Sequence, residues 1–163
     1  MHANPHICKL SPYQPGLPIN LVARNYGIEP KNIIKLASNE NPLGMSPKAK
    51  AALLTSLDGA HRYPEQYNLL QALSQKLHVT PEQIVLGNGS NDVLDVVART
   101  FLHTGDQAIL SQYSFAIFNI ATQSTGAKSL IVPAKNYSHD LPAMLRAVTP
   151  QTRIVWIANP NNP

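Results

Sequence analysis

The sequence predicts an α/β layered fold with a largely parallel sheet. Two observations carry this. From residue 84 onward, short apolar runs alternate with stretches of helical periodicity, the pattern of successive βαβ units. Residues 84–102 then join one such run to one such helix through a pair of glycines. Of 163 residues, 44% are hydrophobic and 13% charged, so the chain has material for a sizeable core and is not a disordered one.

The elements follow in order. Pro12, Pro15, Gly16 and Pro18 exclude a long helix in residues 1–30. An extended arm is expected there, with Tyr13, Leu17, Ile19, Leu21 and Val22 buried on its own domain or on a partner subunit. Residues 33–37 read as a short strand, and 38–44 as a turn-rich loop. The amides and carboxylate of that loop either meet a ligand or satisfy their own turns. Pro47 and the apolar residues after it predict a helix over 47–57. His61 to Glu65 break the pattern. Leu69, Leu70, Leu73 and Leu77 give an amphipathic helix ending near His78, and 80–83 connect it to the next run.

Residues 84–86 read as a buried strand. Gly87 and Gly89 permit a tight turn and close backbone approach by a ligand. Ser90, Asn91 and Asp92 favour a helix start, and Val93, Leu94, Val96, Val97, Phe101 and Leu102 form its apolar face. The free N–H groups and positive dipole end of such a helix hold anions, phosphate above all. A phosphate cradle is therefore expected, against the alternative of an ordinary βα turn. Two named phosphate motifs are excluded. Asp92 stands where a dinucleotide fingerprint needs its third glycine, and no lysine lies between Lys76 and Lys128 to complete a P-loop.

Strands are expected at 107–111, 128–132 and 153–158, and helices at 115–124 and 141–148, with turns at 105–106, 112–114 and 159–163. Ligands of such sheets bind at the carboxyl ends of the strands. The glycine turn, the 113–115 loop and the Asn-Pro run from 159 all follow strands, so they can meet on one edge. The chain ends in a turn where the next helix should begin, which predicts a piece of a longer protein.

Thirteen basic and nine acidic residues give a net charge of +4. They are scattered, without the dense cluster of a nucleic-acid face. Cys8 is the single cysteine, so no disulfide framework or cysteine metal cluster exists. The six histidines lack metal-site spacing. No signal-peptide core or bilayer-spanning apolar run is present, and a cytoplasmic setting is expected.

Five segments carry a family likeness: Leu10-Ser11-Pro12-Tyr13-Gln14-Pro15-Gly16; Leu36-Ala37-Ser38-Asn39-Glu40-Asn41-Pro42-Leu43-Gly44; Arg62-Tyr63-Pro64; Gly87-Asn88-Gly89-Ser90-Asn91-Asp92; and Asn159-Pro160-Asn161-Asn162-Pro163. In these the chain resembles the N-terminal part of the fold-type I, pyridoxal-phosphate-dependent aminotransferases. The first two together favour the histidinol-phosphate branch. The resemblance implies an N-terminal arm and small-domain segment in 1–60 and, in 61–163, the N-terminal part of the large, cofactor-binding domain, a mostly parallel sheet flanked by helices. It implies pyridoxal 5'-phosphate as cofactor, with the N–H groups of Ser90 and Asn91 on its phosphate. Asn162 would donate to the phenolic oxygen of its ring. Phe115 or Tyr113 would stack on that ring, and Tyr63 would reach the phosphate of the neighbouring subunit in a homodimer. Tyr13 and Asn39 would lie near the substrate.

The implied activity of the whole protein is transamination of histidinol phosphate with 2-oxoglutarate in histidine biosynthesis, without nucleic-acid or membrane partners. The alternatives are another fold-type I enzyme, such as an aromatic aminotransferase or threonine-phosphate decarboxylase, or a non-catalytic module. The family's cofactor-binding lysine, pyridine-pairing aspartate and carboxylate-gripping arginine lie beyond Asn162 in the family's order. None of the eight lysines here has the family's Ser-x-Ser-Lys context. No catalytic residue is assigned, and this chain alone is expected to be inactive.

Overall fold

The computed structural model describes residues 3–161, and Asn162, expected to contact the cofactor ring, lies outside the described residues. The chain divides into two compact units, Gln14–Ile84 and Met1–Tyr13 with Val85–Pro163.

The first unit is helical. Helix α1 (Ile19–Tyr26) begins directly after Pro18 and ends at Gly27, whose φ of 65° lets its N–H turn back to the Ala23 carbonyl. The expected extended arm is thus corrected over these eight residues. Pro18 sits in the non-helical N-cap position, where its ring obstructs nothing. Helix α2 (Pro47–Ser56) has Pro47 in its first turn and no buried residue. Helix α3 (Tyr67–Leu77) starts where the Glu65 carboxylate accepts from the Tyr67 and Asn68 N–H groups, and it ends at His78 in the left-handed region.

Two expected strands are absent. Residues 33–37 and 84–86 are extended at Ile33 (φ −97°, ψ 122°) and Ile84 (φ −116°, ψ 125°), but neither run joins a ladder among the described residues. Leu36 is 91% and Val85 71% exposed. Apolar content gave these runs the look of buried strands. A strand also needs a partner for its backbone groups, and sequence periodicity does not supply one.

The second unit holds the sheet. Its elements are α4 (Ser90–Phe101), β1 (Gln107–Ser111), α5 (Ala116–Ser124), β2 (Lys128–Val132), α6 (Leu141–Arg146) and β3 (Thr152–Trp156). The strands run parallel in the order β2-β1-β3. Ile109 lies opposite Leu130 and Val155, and Leu110 opposite Ile131 and Trp156. Alternate residues of β1 therefore face opposite layers. Ala108 and Leu110 pack with Ala98, Leu102, Phe118, Ala121, Ala127 and Trp156, while Ile109 packs with Val132 and Met144. Both faces of β1 are covered by helices, which is why its burial is nearly continuous. The helix expected over 141–148 is shorter, starting at the Asp140 cap, whose carboxylate accepts from the Ala143 N–H at 2.9 Å.

One buried polar pair ties the larger core together. The Trp156 indole N–H donates to the Thr122 hydroxyl at 3.0 Å, and that hydroxyl donates to the Phe118 carbonyl at 2.8 Å. Thr122 is wholly buried, so removing its oxygen strands the indole donor. Thr122→Val is expected to destabilise the protein by about 1–3 kcal/mol, and Thr122→Ser by less. Denaturant midpoints check this, and a Val variant as stable as its parent would contradict it.

Candidate functional site

The candidate site is built on the carboxyl edge of the parallel sheet. Because β1 and β3 are parallel, the turns after Ser111 and Trp156 leave the same edge. Helix α4 reaches that edge from the other direction. It runs into β1 through 102–106, so the two point opposite ways, and its Ala98 and Leu102 pack on Ala108 and Leu110. Twelve helical residues span about 18 Å, and five strand residues about 16 Å. The start of α4 therefore lies at the level of the end of β1.

That start is shaped by the two glycines. The Gly89 N–H donates to the Gly87 carbonyl at 2.8 Å. Gly89 is the N-cap of α4 with φ 85° and ψ 173°, a conformation closed to most other residues. A glycine cap has no side chain to bond the first-turn N–H groups, so those of Ser90 and Asn91 are left for an external acceptor. Gly87 has a different reason. A Cβ there would lie 2.9 Å from Val93 Cγ2 and 3.1 Å from Asp92 Oδ2, so the first turn of α4 packs directly on its backbone.

Asp92 acts in a way the sequence reading missed. Its Oδ2 accepts from the Asn88 N–H at 3.0 Å, bracing the turn from within. An acidic residue three positions into a helix is the available signal, since side chains there commonly reach back past the cap.

Beyond β1, Tyr113 adopts φ 62°, and its ring lies 5.7 Å from that of Tyr137. Phe115, the N-cap of α5, packs against the larger core and meets Phe118 edge-on at 6.0 Å. Beyond β3, the Asn161 side-chain N–H donates to the Tyr113 carbonyl at 3.3 Å. The Asn159–Pro160 bond is cis. Asn161 Oδ1 and Ser114 Oγ are buried without a hydrogen-bond partner among the described residues. Such orphaned polar atoms are uncommon, and here two of them flank the same junction of turns.

Ser90, Asn91, Tyr113 and Phe115 thus share one unit and one end of its sheet. Tyr63 and Asn39 belong to the other unit. Tyr63 is fully exposed. Asn39 follows Ser38 in the left-handed region, with φ of 50° and 71° respectively. In its loop Asn41 accepts from the Leu43 N–H and donates to the Gly44 carbonyl, both at 3.0 Å, and Glu40 pairs with Lys35 at 2.9 Å. Tyr13 is half exposed. A cleft of about 690 Å³ lies at the far end of the sheet, between the C-terminal residues of α4 and α5, lined by Arg99, His103 and Thr125 among others. It shares no residue with the candidate site. Among the described residues there is no acidic, histidine or cysteine grouping fit for a metal ion, and no helix is long and apolar enough to cross a membrane.

The chain is similar to known proteins over nearly its whole length. The chain is 56% identical over 158 residues to histidinol-phosphate aminotransferase 1 of Dechloromonas aromatica, covering 97% of this chain and 44% of that protein. It is 51% identical over 163 residues to histidinol-phosphate aminotransferase 2 of Pseudomonas fluorescens strain Pf0-1, again covering 44% of the relative. The chain therefore spans less than half the length of these curated relatives. Its fold matches the crystal structure of histidinol-phosphate aminotransferase from Sinorhizobium meliloti in complex with pyridoxal-5'-phosphate, with a TM-score of 0.85 and 25% identity, over 99% of this chain and 43% of that one. The family model for aminotransferase class I and II matches residues 31–163, and the chain belongs to that family.

Proposed function

We propose that this chain supplies the phosphate-anchoring part of a pyridoxal-phosphate-dependent aminotransferase. The whole enzyme would act on histidinol phosphate with 2-oxoglutarate in histidine biosynthesis, as a cytoplasmic homodimer. The observation that carries the reading is the glycine-capped start of α4, set at the same carboxyl edge of the sheet as the turns that hold two buried, unpartnered polar atoms. The substrate assignment leans on the relatives' names at 56% and 51% identity.

The residues present fit the cofactor's demands. A phosphate dianion needs N–H donors and positive potential, and the first turn of α4 offers both. Ser90 and Asn91 bind it through their backbone N–H groups. Phe115 or Tyr113 would cover a face of the pyridine ring, and Asn162, outside the described residues, is the residue the family pattern assigns to its phenolic oxygen. Tyr63 reaches the phosphate held by the neighbouring subunit of the homodimer. Tyr13 and Asn39 orient the substrate. When bound, the cofactor supplies an electron sink for loss of the proton from the carbon bearing the substrate's amino group. The group that takes this proton is not assigned to any residue of this chain.

The test is the visible absorbance of the protein expressed from its complete reading frame and purified with pyridoxal phosphate. A bound-cofactor band that changes on adding histidinol phosphate, and not on adding phenylalanine, is expected. A correctly folded protein that binds no chromophore would sink the reading. A response to phenylalanine alone would move it to an aromatic aminotransferase.

A further inference from the structure

We propose that His139 is a positioning residue for the candidate cofactor site, holding the turn after β3 in place relative to the turn after β1; the inference rests on the functional reading above. His139 lies between β2 and α6. Its Nε2 is 2.9 Å from the Ala158 carbonyl, 19 residues further along the chain. A carbonyl only accepts, so Nε2 carries the hydrogen of this bond. Nδ1 is buried with no hydrogen-bond partner among the described residues. The ring is thus oriented by a single bond, and that bond goes to the backbone of a site turn.

The place of that bond gives it leverage. Ala158 directly precedes the Asn159–Pro160 pair, so His139 holds the entry to the turn. The far side of the same turn is tied to the Tyr113 carbonyl by Asn161. The turn is therefore pinned at two points, each by an element outside it. Asn162 follows at once in sequence.

The segment that carries His139 is itself stiff. Lys135 and Ser138 exchange both backbone hydrogen bonds at 3.0 Å, with Asn136 and Tyr137 at φ 51° and 59°, the signature of a tight two-residue hairpin. Tyr137 from its tip lies against the Tyr113 ring. The Gln112 N–H donates to the Val132 carbonyl at 2.7 Å, and the Gln112 side chain accepts from the Ala134 N–H at 3.2 Å. On the other side, Asp140 caps α6. One short hairpin therefore touches the turn after β1 through Tyr137 and the turn after β3 through His139. It couples the two places from which the ring-facing residues are proposed to come.

The experiment uses the full-length holoprotein with His139→Leu and His139→Gln. A glutamine amide can place a donor near the position of Nε2, and a leucine cannot. His139→Leu is expected to raise the dissociation constant for pyridoxal phosphate about fivefold to tenfold and to displace the visible band of the bound cofactor. His139→Gln is expected to restore both. If His139→Leu gives no folded protein, His139→Asn is read the same way, since its amide falls short of the Nε2 position. A Leu or Asn variant with an unshifted band and an affinity within about twofold of the parent, even with a lowered melting temperature, would reduce His139 to a structural brace and overturn the proposal. A parent protein that binds no cofactor would overturn the functional reading itself, an outcome separate from any effect of the variants.

Discussion

Replacing Ser90 by proline in the full-length protein is expected to weaken retention of pyridoxal phosphate by about 10- to 100-fold while the fold stays intact. Ser90 is the first residue of α4, a position where proline is favoured because its fixed φ suits the helix and its missing N–H has no intrahelical partner to lose. Gly89 before it has ψ 173°, which suits a residue preceding proline. The substitution thus removes one N–H donor and little else. A hydrogen bond from that N–H to a phosphate dianion is charge-assisted and contributes about 1.5–3 kcal/mol. Ser90→Ala keeps the N–H and is the control, expected to stay close to the parent. Equilibrium titration of the apoprotein with cofactor measures both. If Ser90→Pro binds as tightly as the parent and melts at the same temperature, the phosphate does not sit on this helix start.

That helix start was legible because several local rules agree there. An apolar run, two glycines, three residues that favour a helix start and a helical apolar face are each readable without a neighbour. The presence of the last three strands was legible for the same reason, since each alternates with a helix of clear periodicity. What was not legible depended on distant partners. Residues 33–37 and 84–86 have strand-like composition, but pairing is a property of two segments, and no described segment pairs with them. Helix α1 was hidden by its own prolines. They are counted as breakers over a window, yet Pro18 occupies the one place where it does no harm.

The backbone frame of the candidate site was legible, and its side chains less so. A helix-start anion site follows from the turn, while the roles of Ser90 and Asn91 come from the family resemblance. Phe115 and Tyr113 were left open as alternatives because Tyr113 and Ser114 stand where the family's run has Pro-Thr before its aromatic residue. The structure separates them physically, with Phe115 packed on the core and Tyr113 at positive φ against Tyr137. Asp92, Asn161 and His139 went unread for one reason. Their contacts to Asn88, Tyr113 and Ala158 are made to backbone atoms, and backbone partners carry no sequence signature. His139 and Asn161 also act across 19 and 48 residues.

Phe118→Ala is expected to cost about 3–5 kcal/mol of stability. Phe118 is 6% exposed at the centre of the larger core. Its ring lies parallel to Trp156 at 5.1 Å between centroids and edge-on to Phe115 at 6.0 Å. Truncation removes buried apolar area and leaves a cavity between two aromatic rings that no neighbouring helix can close without moving. Phe118→Leu keeps much of the volume and is expected to lose less, about 1–2 kcal/mol. The damage should also reach the carboxyl edge of the sheet, since Phe115 then loses the ring that holds it edge-on. At protein concentrations and temperatures where both remain folded, the alanine variant should bind cofactor more weakly than the leucine variant. Denaturant unfolding gives the stability difference, and cofactor titration gives the coupling. A loss below about 1 kcal/mol for Phe118→Ala would mean the core closes over the gap, and Phe115 would then be held by contacts other than this ring.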